Sequence, residues 1–485
     1  MPEPAGTAGP SQPAPLSRGR AVLPAAVAAG LTLPFLGHSS LWSDETDSAS
    51  AAARSWTGLA RLLSHQDAPL GGYYALLHVW TRLAGDSAYA LRLPSALAVV
   101  AAVWLTTRLG ARLAGGGAGL LGGGLLATNP FVLSFGADAR PYALALAAAA
   151  GTGLLLSGPV TPRRRAAYAG LVVLGTVAHL FFVLAVVAQL LGVALARGAV
   201  RPWLLPSALA AAVTSPLVVL AAGQTAEVGY LARPGLLSLP GWFQAMAGGQ
   251  AWLSVPAAVL LVVTLRRGTV RAHPLLLAWL LVPGPALLLL SQIHPLYLAR
   301  YVVESAPALA VLLAVALARG QRVVRVAAAC LLLVSAVTSV TAQAAPYRYE
   351  GLRAAADIVL DDSRPGDGAV FLPVSVRTAV GFYLGRVDDG SPRPVDLLAA
   401  PAGSEEAVGN FGGGTLAPLP ATRRLLGRRV VWLVSYTDAS GHTGRLAAAV
   451  LGTLHRCYLA GPVRRFGLVA VQREVATGRC PHPRR

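Results

Sequence analysis

The chain contains no lysine: all 40 of its basic residues are arginine, set against 21 acids. Alanine and glycine are abundant, so this absence reads as a coding bias and carries no function. Charge of either sign is scarce, at 13% of residues, while 55% are hydrophobic and the mean hydropathy is +0.58. Those values exclude an ordinary soluble domain and point to a polytopic membrane protein. The first apolar segment, Arg20 to Gly37, has the basic start of a signal peptide but no obvious small-residue cleavage site, so an uncleaved first span is expected. No duplicated halves are present, unlike the paired repeats of many transporters. With cysteine down to three residues, Cys330, Cys457 and Cys480, at most one disulfide is possible.

A net charge of +19 would suit nucleic acid if it were pooled, but it is spread along the chain. Arg18, Arg20, Arg108, Arg112, Arg163, Arg164, Arg165, Arg197, Arg201, Arg266, Arg267, Arg271, Arg319, Arg322 and Arg325 fall in short segments between apolar runs. These fifteen share those segments with a single acid, Glu3. That is a topology signal and not a nucleic-acid footprint. It expects a multi-pass plasma-membrane protein with residues 1–19 as a disordered cytoplasmic lead and 20–342 as the transmembrane domain. Apolar runs lie near 20–37, 87–107, 113–134, 141–158, 166–178, 180–196, 203–222, 251–266, 273–291, 300–318 and 322–341, about eleven spans. The run from 166 to 196 is one long tilted helix or two turning near His179, and the arginine distribution favours two. Gly119 and Gly123 suit close helix packing. Arg54, Arg61, Arg82 and Arg92 fall on the outer side against the rule, in a first external loop, 38–86, long enough to be less bound by it.

Residues 343–485 differ in texture and read as an extracytoplasmic α/β domain, large enough for a core of its own. Helices are expected at 352–360, 378–384 and 444–454. Strands are expected at 369–373, 429–435 and 466–473, with a Gly/Pro-rich loop over 388–420. In an oxidising compartment Cys457 and Cys480 are a disulfide candidate, and Cys330, in the last span, is packing. Within the first loop, 49–63 and 73–83 read as amphipathic helices, the second carrying Tyr73, Tyr74 and Trp80.

The ionisable groups near the outer face carry the functional signal. Asp44, Glu45 and Asp47 crowd just past the first span, where Ser43 and the acids also suit a helix start. His65 and Asp67 lie further along, and they also suit a turn before Pro69. Asp138 and Arg140 occupy the loop after the third span and pair with each other or with a ligand. His294, Arg300, Tyr301 and Glu304 surround the entry to the tenth. Charges at headgroup depth are costly and therefore candidates for function.

Three groups of motifs resemble one family: Trp42-Ser43-Asp44-Glu45, with the stretch from His65 through Ala68-Pro69-Leu70 to His78 and then Ala90-Leu91-Arg92; Asn129-Pro130-Phe131 with Ala137-Asp138-Ala139-Arg140-Pro141-Tyr142; and Arg300-Tyr301 with Pro307. They look like the external loops and late span entry of polytopic C-type (GT-C) glycosyltransferases, such as protein O-mannosyltransferases and bacterial lipid A aminoarabinose transferases. The resemblance covers about residues 20–340. It departs where Asp138 replaces a common Glu and where Ala68-Pro69-Leu70-Gly71 replaces a usual His-Pro-Pro-Leu. It implies a GT-C-like helical membrane fold and a polyprenyl-phosphate-sugar donor, mannose-like or another hexose or pentose. The acceptor it implies is an extracytoplasmic glycan, lipid or protein. Asp44 is then the catalytic base, with Glu45 beside it.

The residues fit that chemistry independently. A carboxylate is needed to take the proton of an attacking hydroxyl, and cations are needed where the leaving phosphate gathers charge. Arg140, Arg300 and Tyr301 are the phosphate-binding candidates, and Arg suits phosphate through its planar fork. A divalent ion, Mg or Mn, on Asp44 and Asp138 would use suitable oxygen ligands, although no ligand spacing demands one. A membrane transporter or lipid flippase is the alternative, which would place its charges nearer mid-membrane.

Overall fold

The computed structural model describes residues 16–224, 231–235, 237–266, 268, 273–318, 322–386, 392–400, 409–437 and 444–480. Most of the lead expected at 1–19 lies outside the described residues. So do Arg267, Arg271 and Arg319, and parts of the loops at 223–250 and 388–420.

Up to Gln343 the chain is a bundle of helices whose ends follow local signals. The first is α1 (Arg18–Thr32), and the first loop then holds α2 (Ser43–Ala53), α3 (Trp56–His65) and α4 (Gly71–Ala84). The single helix expected over 49–63 is thus two, because Ser55 starts a new one by accepting the Gly58 N–H. Next come the long α5 (Ala88–Ala114), α6 (Gly116–Ala127), α7 (Pro130–Gly136) and α8 (Tyr142–Leu156). Gly115, at φ 88°, ends α5 in a conformation that side chains avoid. α6 folds back on α5 so closely that a Cβ at Gly119 would stand 2.6 Å from the Thr107 carbonyl oxygen. The bundle continues through α9 (Pro162–Ala178), α10 (Phe182–Leu195), α11 (Arg201–Ala222), α12 (Ser238–Met246) and α13 (Ala251–Arg266). It is completed by α14 (Pro274–Leu281), α15 (Pro283–Leu290), α16 (Ala306–Ala318) and α17 (Arg322–Gln343).

By length and composition, three helical segments among the described residues can cross a bilayer, or five if each of two bent pairs is one span. The count of about eleven is not reached on that basis, because breaks divide the apolar runs. A 66° bend at Pro130 separates α6 from α7, and α12 meets α13 at 93°. The run 166–196 is two helices that part at His179. α16 is buried from Ala306 to Leu317, whereas Leu205, Leu209 and Val213 of α11 and Val255, Val259 and Val262 of α13 face outward. Apolar outer faces are what a bilayer covers.

Beyond the bundle, β1 (Gly368–Leu372), β2 (Val395–Asp396), β3 (Val430–Tyr436), β4 (Tyr458–Phe466) and β5 (Val469–Ala476) form one sheet in the order β2-β1-β3-β5-β4. It is parallel from β2 to β3 and antiparallel beyond. The strand expected at 466–473 is in fact a hairpin, turned at Gly467 (φ 61°). Its first arm, β4, escapes hydropathy because it is an exposed edge bearing Arg464 and Arg465. α18 (Leu352–Asp362) and α19 (Ser375–Leu384) cover one face, and α20 (Pro418–Leu426) and α21 (Arg445–Cys457) the other. The first face does not close on itself. Leu41, Ala49, Leu91 and Ala139 of the bundle are part of its core, whereas the core of the opposite face lies within the domain. A disulfide joins Cys457 to Cys480, with Cα atoms 5.5 Å apart, and Cys330 is free and exposed.

One buried ion pair fastens the first loop to the bundle. Arg92 of α5 donates from Nε to Glu45 Oε1 (2.7 Å) and from Nη2 to Glu45 Oε2 (2.6 Å). Its remaining protons go to the carbonyls of Leu36, Ser39 and Ser40. Glu45 also accepts the N–H groups of Ala139 (2.8 Å) and Trp42 (3.2 Å). Arg92, outside the topology rule, is therefore a structural residue.

Glu45→Gln, which strands a buried guanidinium, is expected to destabilise the protein by about 3–5 kcal/mol, read as a fall in the detergent-solubilised unfolding midpoint. An unchanged midpoint would contradict that role. Peptide mapping after alkylation without reductant is expected to find Cys457 linked to Cys480 and only Cys330 modified.

Candidate active site

Asp44 occupies the first turn of α2, where free helix N–H groups favour a carboxylate. The helix starts at Ser43 and not after it, since Glu45 reaches back to the Trp42 N–H in place of the expected Ser43 cap. The Asp44 side chain is 27% exposed and faces two guanidiniums, with Oδ2 3.7 Å from Arg140 Nη2 and 3.8 Å from Arg300 Nη2. Charge-assisted hydrogen bonds are shorter, about 2.7–2.9 Å, so both pairs are held by Coulomb attraction alone. The Nε atoms of Arg140 and Arg300 are buried, and neither has a hydrogen-bond partner among the described residues. Buried donors in that state are set for an acceptor.

Aromatic rings fix Arg300. Its guanidinium carbon lies 5.8 Å from the ring centroids of Trp42, Tyr142 and Tyr301, an arrangement that attracts a cation to the ring faces. Tyr301 in turn stacks on Phe181 at 5.2 Å. Arg300 and Tyr301 sit on a 3-10 segment, Ala299–Ser305, whose Val302 breaks the helical path. Just beyond, Ala306 and Asn129 border an apolar cleft of about 370 Å³, lined also by Met246, Leu253, Leu309 and Leu332.

The other expected residues divide. Glu45, expected beside Asp44 as catalytic, is fully buried and committed to Arg92, which removes it from that role. Asp138 does not pair with Arg140. It accepts the Trp42 indole N–H (3.0 Å) and pairs with Arg348 at 3.6 Å. Burial first, then the Glu45 charge, push its carboxyl up to about 6. Asp67, at φ 55°, accepts the Tyr74 hydroxyl proton (2.6 Å), and that hydroxyl is 3.5 Å from Arg140 Nη1. Burial raises the Asp67 carboxyl, opposed mainly by Arg140. His65 is exposed and bonded to the Arg61 carbonyl and the Ser64 hydroxyl, and His294 is exposed. Neither joins the cluster through the contacts found among the described residues. No three His, Cys, Asp or Glu side chains gather to hold a metal ion among the described residues. Asp44 faces Arg140 and Arg300, and Asp138 faces Arg348.

Several participants escaped the sequence reading. His179, expected as a turn or packing residue, hydrogen-bonds Glu304 (3.1 Å) in the bundle interior and lies 5.4 Å from the Tyr301 ring. Arg348 and Glu350 reach the rim from the C-terminal domain. Their signal was available: Tyr347-Arg348-Tyr349-Glu350 follows the last apolar run much as Trp42-Ser43-Asp44-Glu45 follows the first.

No protein-family model and no curated protein matches the chain. Solved structures do. The crystal structure of ArnT from Cupriavidus metallidurans in the apo state matches with a TM-score of 0.64 at 15% identity, covering 96% of this chain and 99% of that one. Its complex with undecaprenyl phosphate matches with a TM-score of 0.62 at 16% identity, covering 96% and 100%. The Archaeoglobus fulgidus oligosaccharyltransferase in complex with Zn and sulfate matches with a TM-score of 0.50 at 12% identity, covering 92% and 71%. The chain therefore has the fold of the C-type polytopic glycosyltransferases.

Proposed function

We propose that this chain is an integral membrane glycosyltransferase that moves a sugar from a polyprenyl-phosphate carrier to an extracytoplasmic acceptor. The supporting observation is the partly exposed Asp44 flanked by two arginines whose Nε groups have no acceptor among the described residues. A phosphate would satisfy those donors, and an apolar cleft beginning six residues beyond Arg300 suits a long hydrocarbon chain. A structure of the same fold was solved bound to undecaprenyl phosphate, a molecule of that chemistry. The arginine distribution supports a plasma-membrane orientation with the N-terminus cytoplasmic and the C-terminal domain outside.

In this reading the acceptor oxygen attacks the anomeric carbon while Asp44 takes its proton. The bond from that carbon to the phosphate oxygen breaks, and Arg140 and Arg300 receive the departing negative charge. Glu45 and Asp138 are tied to other arginines. With Asp44 acting as base and no carboxylate assigned as nucleophile, the sugar inverts. The acceptor is a glycan, lipid or protein hydroxyl, and the sugar a mannose-like or other hexose or pentose.

With purified protein in nanodiscs and a panel of polyprenyl-phosphate sugars, Asp44→Asn is expected to lower kcat by about a hundredfold or more at an unchanged unfolding midpoint. A fully active Asp44→Asn would remove the base assignment. Arg300→Ala is expected to raise the donor KM and lower kcat together, and NMR of the product to show the inverted anomer. A retained configuration would refute the single displacement.

A further inference from the structure

We infer that Glu350, one of the residues through which the C-terminal domain reaches the rim, is a positioning residue for Asp44, holding the Ser43 peptide and thereby setting where the carboxylate points. The inference rests on Asp44 being the base.

The geometry begins with what does not hold Asp44. Its carboxylate makes two ion pairs of 3.7 and 3.8 Å, both too long to fix its direction. Its placement therefore depends on the backbone at the start of α2. There the Ser43 N–H, one of the donors a helix start leaves unsatisfied, is taken by Glu350 Oε2 at 2.7 Å. The Ser43 hydroxyl donates to Glu350 Oε1 at 3.1 Å, so the carboxylate grips the residue before Asp44 with both oxygens. The Ser40 hydroxyl donates to the Glu350 carbonyl at 3.1 Å, and the Leu41 N–H to the Tyr383 hydroxyl at 2.6 Å. The C-terminal domain thus holds the approach to Asp44 at Ser40, Leu41 and Ser43.

Glu350 is itself rigidly placed. Its backbone bridges Gly467 at the β4–β5 turn, and Tyr436 of β3 is hydrogen-bonded with it and with Ser43. The residue is 5% exposed, and burial raises its carboxyl above the usual range. A helix start needs no such distant carboxylate, since a local Ser, Thr, Asn or Asp supplies a cap at less desolvation cost. Using a buried acid from 307 residues away makes the position of α2 depend on the docked domain.

The test compares wild type, Asp44→Asn, Glu350→Gln, Glu350→Asp, Ser43→Ala and the Ser43→Ala/Glu350→Gln double variant in the transfer assay. Misplacing a reacting group by about 1 Å costs on the order of a hundredfold. Glu350→Gln and Glu350→Asp are therefore expected to lower kcat about ten- to a hundredfold while the donor KM stays within about twofold. The double variant is expected to lose little more than Glu350→Gln alone, since both act through one contact. If Glu350→Gln yields too little folded protein, Tyr436→Phe, which keeps the charge, is expected to lower kcat several-fold at constant donor KM. Wild-type kcat in Glu350→Gln and Glu350→Asp, or in Tyr436→Phe, with Asp44→Asn inactive, would overturn this inference and leave the base assignment standing. An active Asp44→Asn would instead remove the base and this inference with it.

Discussion

The pairing of Arg92 with Glu45 is the constraint on which the rim depends. Two charges removed from water must satisfy each other and every remaining donor and acceptor, or the protein pays their full desolvation. Here they do so by drawing in the carbonyls of Leu36, Ser39 and Ser40 and the N–H groups of Trp42 and Ala139. The end of the first helical segment, the start of α2, α5 and the loop before α8 therefore meet at one point. Neighbouring residues on a helix point about 100° apart, so burying Glu45 leaves Asp44 turned elsewhere, toward Arg140 and Arg300.

The same logic assigns the other acids. Four carboxylates near the rim have different counterparts: Glu45 has Arg92, Asp138 has Arg348, Glu350 has Ser43, and Asp67 has Tyr74. Asp44 alone among these faces two arginines, in a partly exposed position. Trp42 links the groups. Its indole N–H binds Asp138, its ring approaches Arg300, and it meets Tyr349 edge-on at 5.0 Å. Arg300 and residues of the C-terminal domain are thus in contact through one side chain.

The C-terminal domain belongs to that arrangement and is not an appendage. One face of its sheet is completed by Leu41, Ala49, Leu91 and Ala139, so its folding and the ordering of the first loop draw on the same buried apolar surface. α20 and α21 cover the opposite face within the domain, and the disulfide secures the end of α21 to the segment after β5.

Much of this was legible in the sequence. Hydropathy and the scattering of arginine identified a helical membrane chain, the turn at His179, the close packing at Gly119 and most elements of the C-terminal domain, because those signals are local. Scarcity of charge drew attention to Asp44, Arg140 and Arg300, since few ionisable groups lie near that end of the helices. Tertiary structure alone decided which acid stays free. Asp44 and Glu45 are adjacent and chemically alike, and only the approach of Arg92 from α5 separates them. Asp138 takes Arg348 instead of Arg140, and Ser43 is gripped by Glu350, because partners are chosen by proximity in space. The bends that shorten the apolar runs and the solvated edge strand β4 were likewise set by packing, which local hydropathy does not encode.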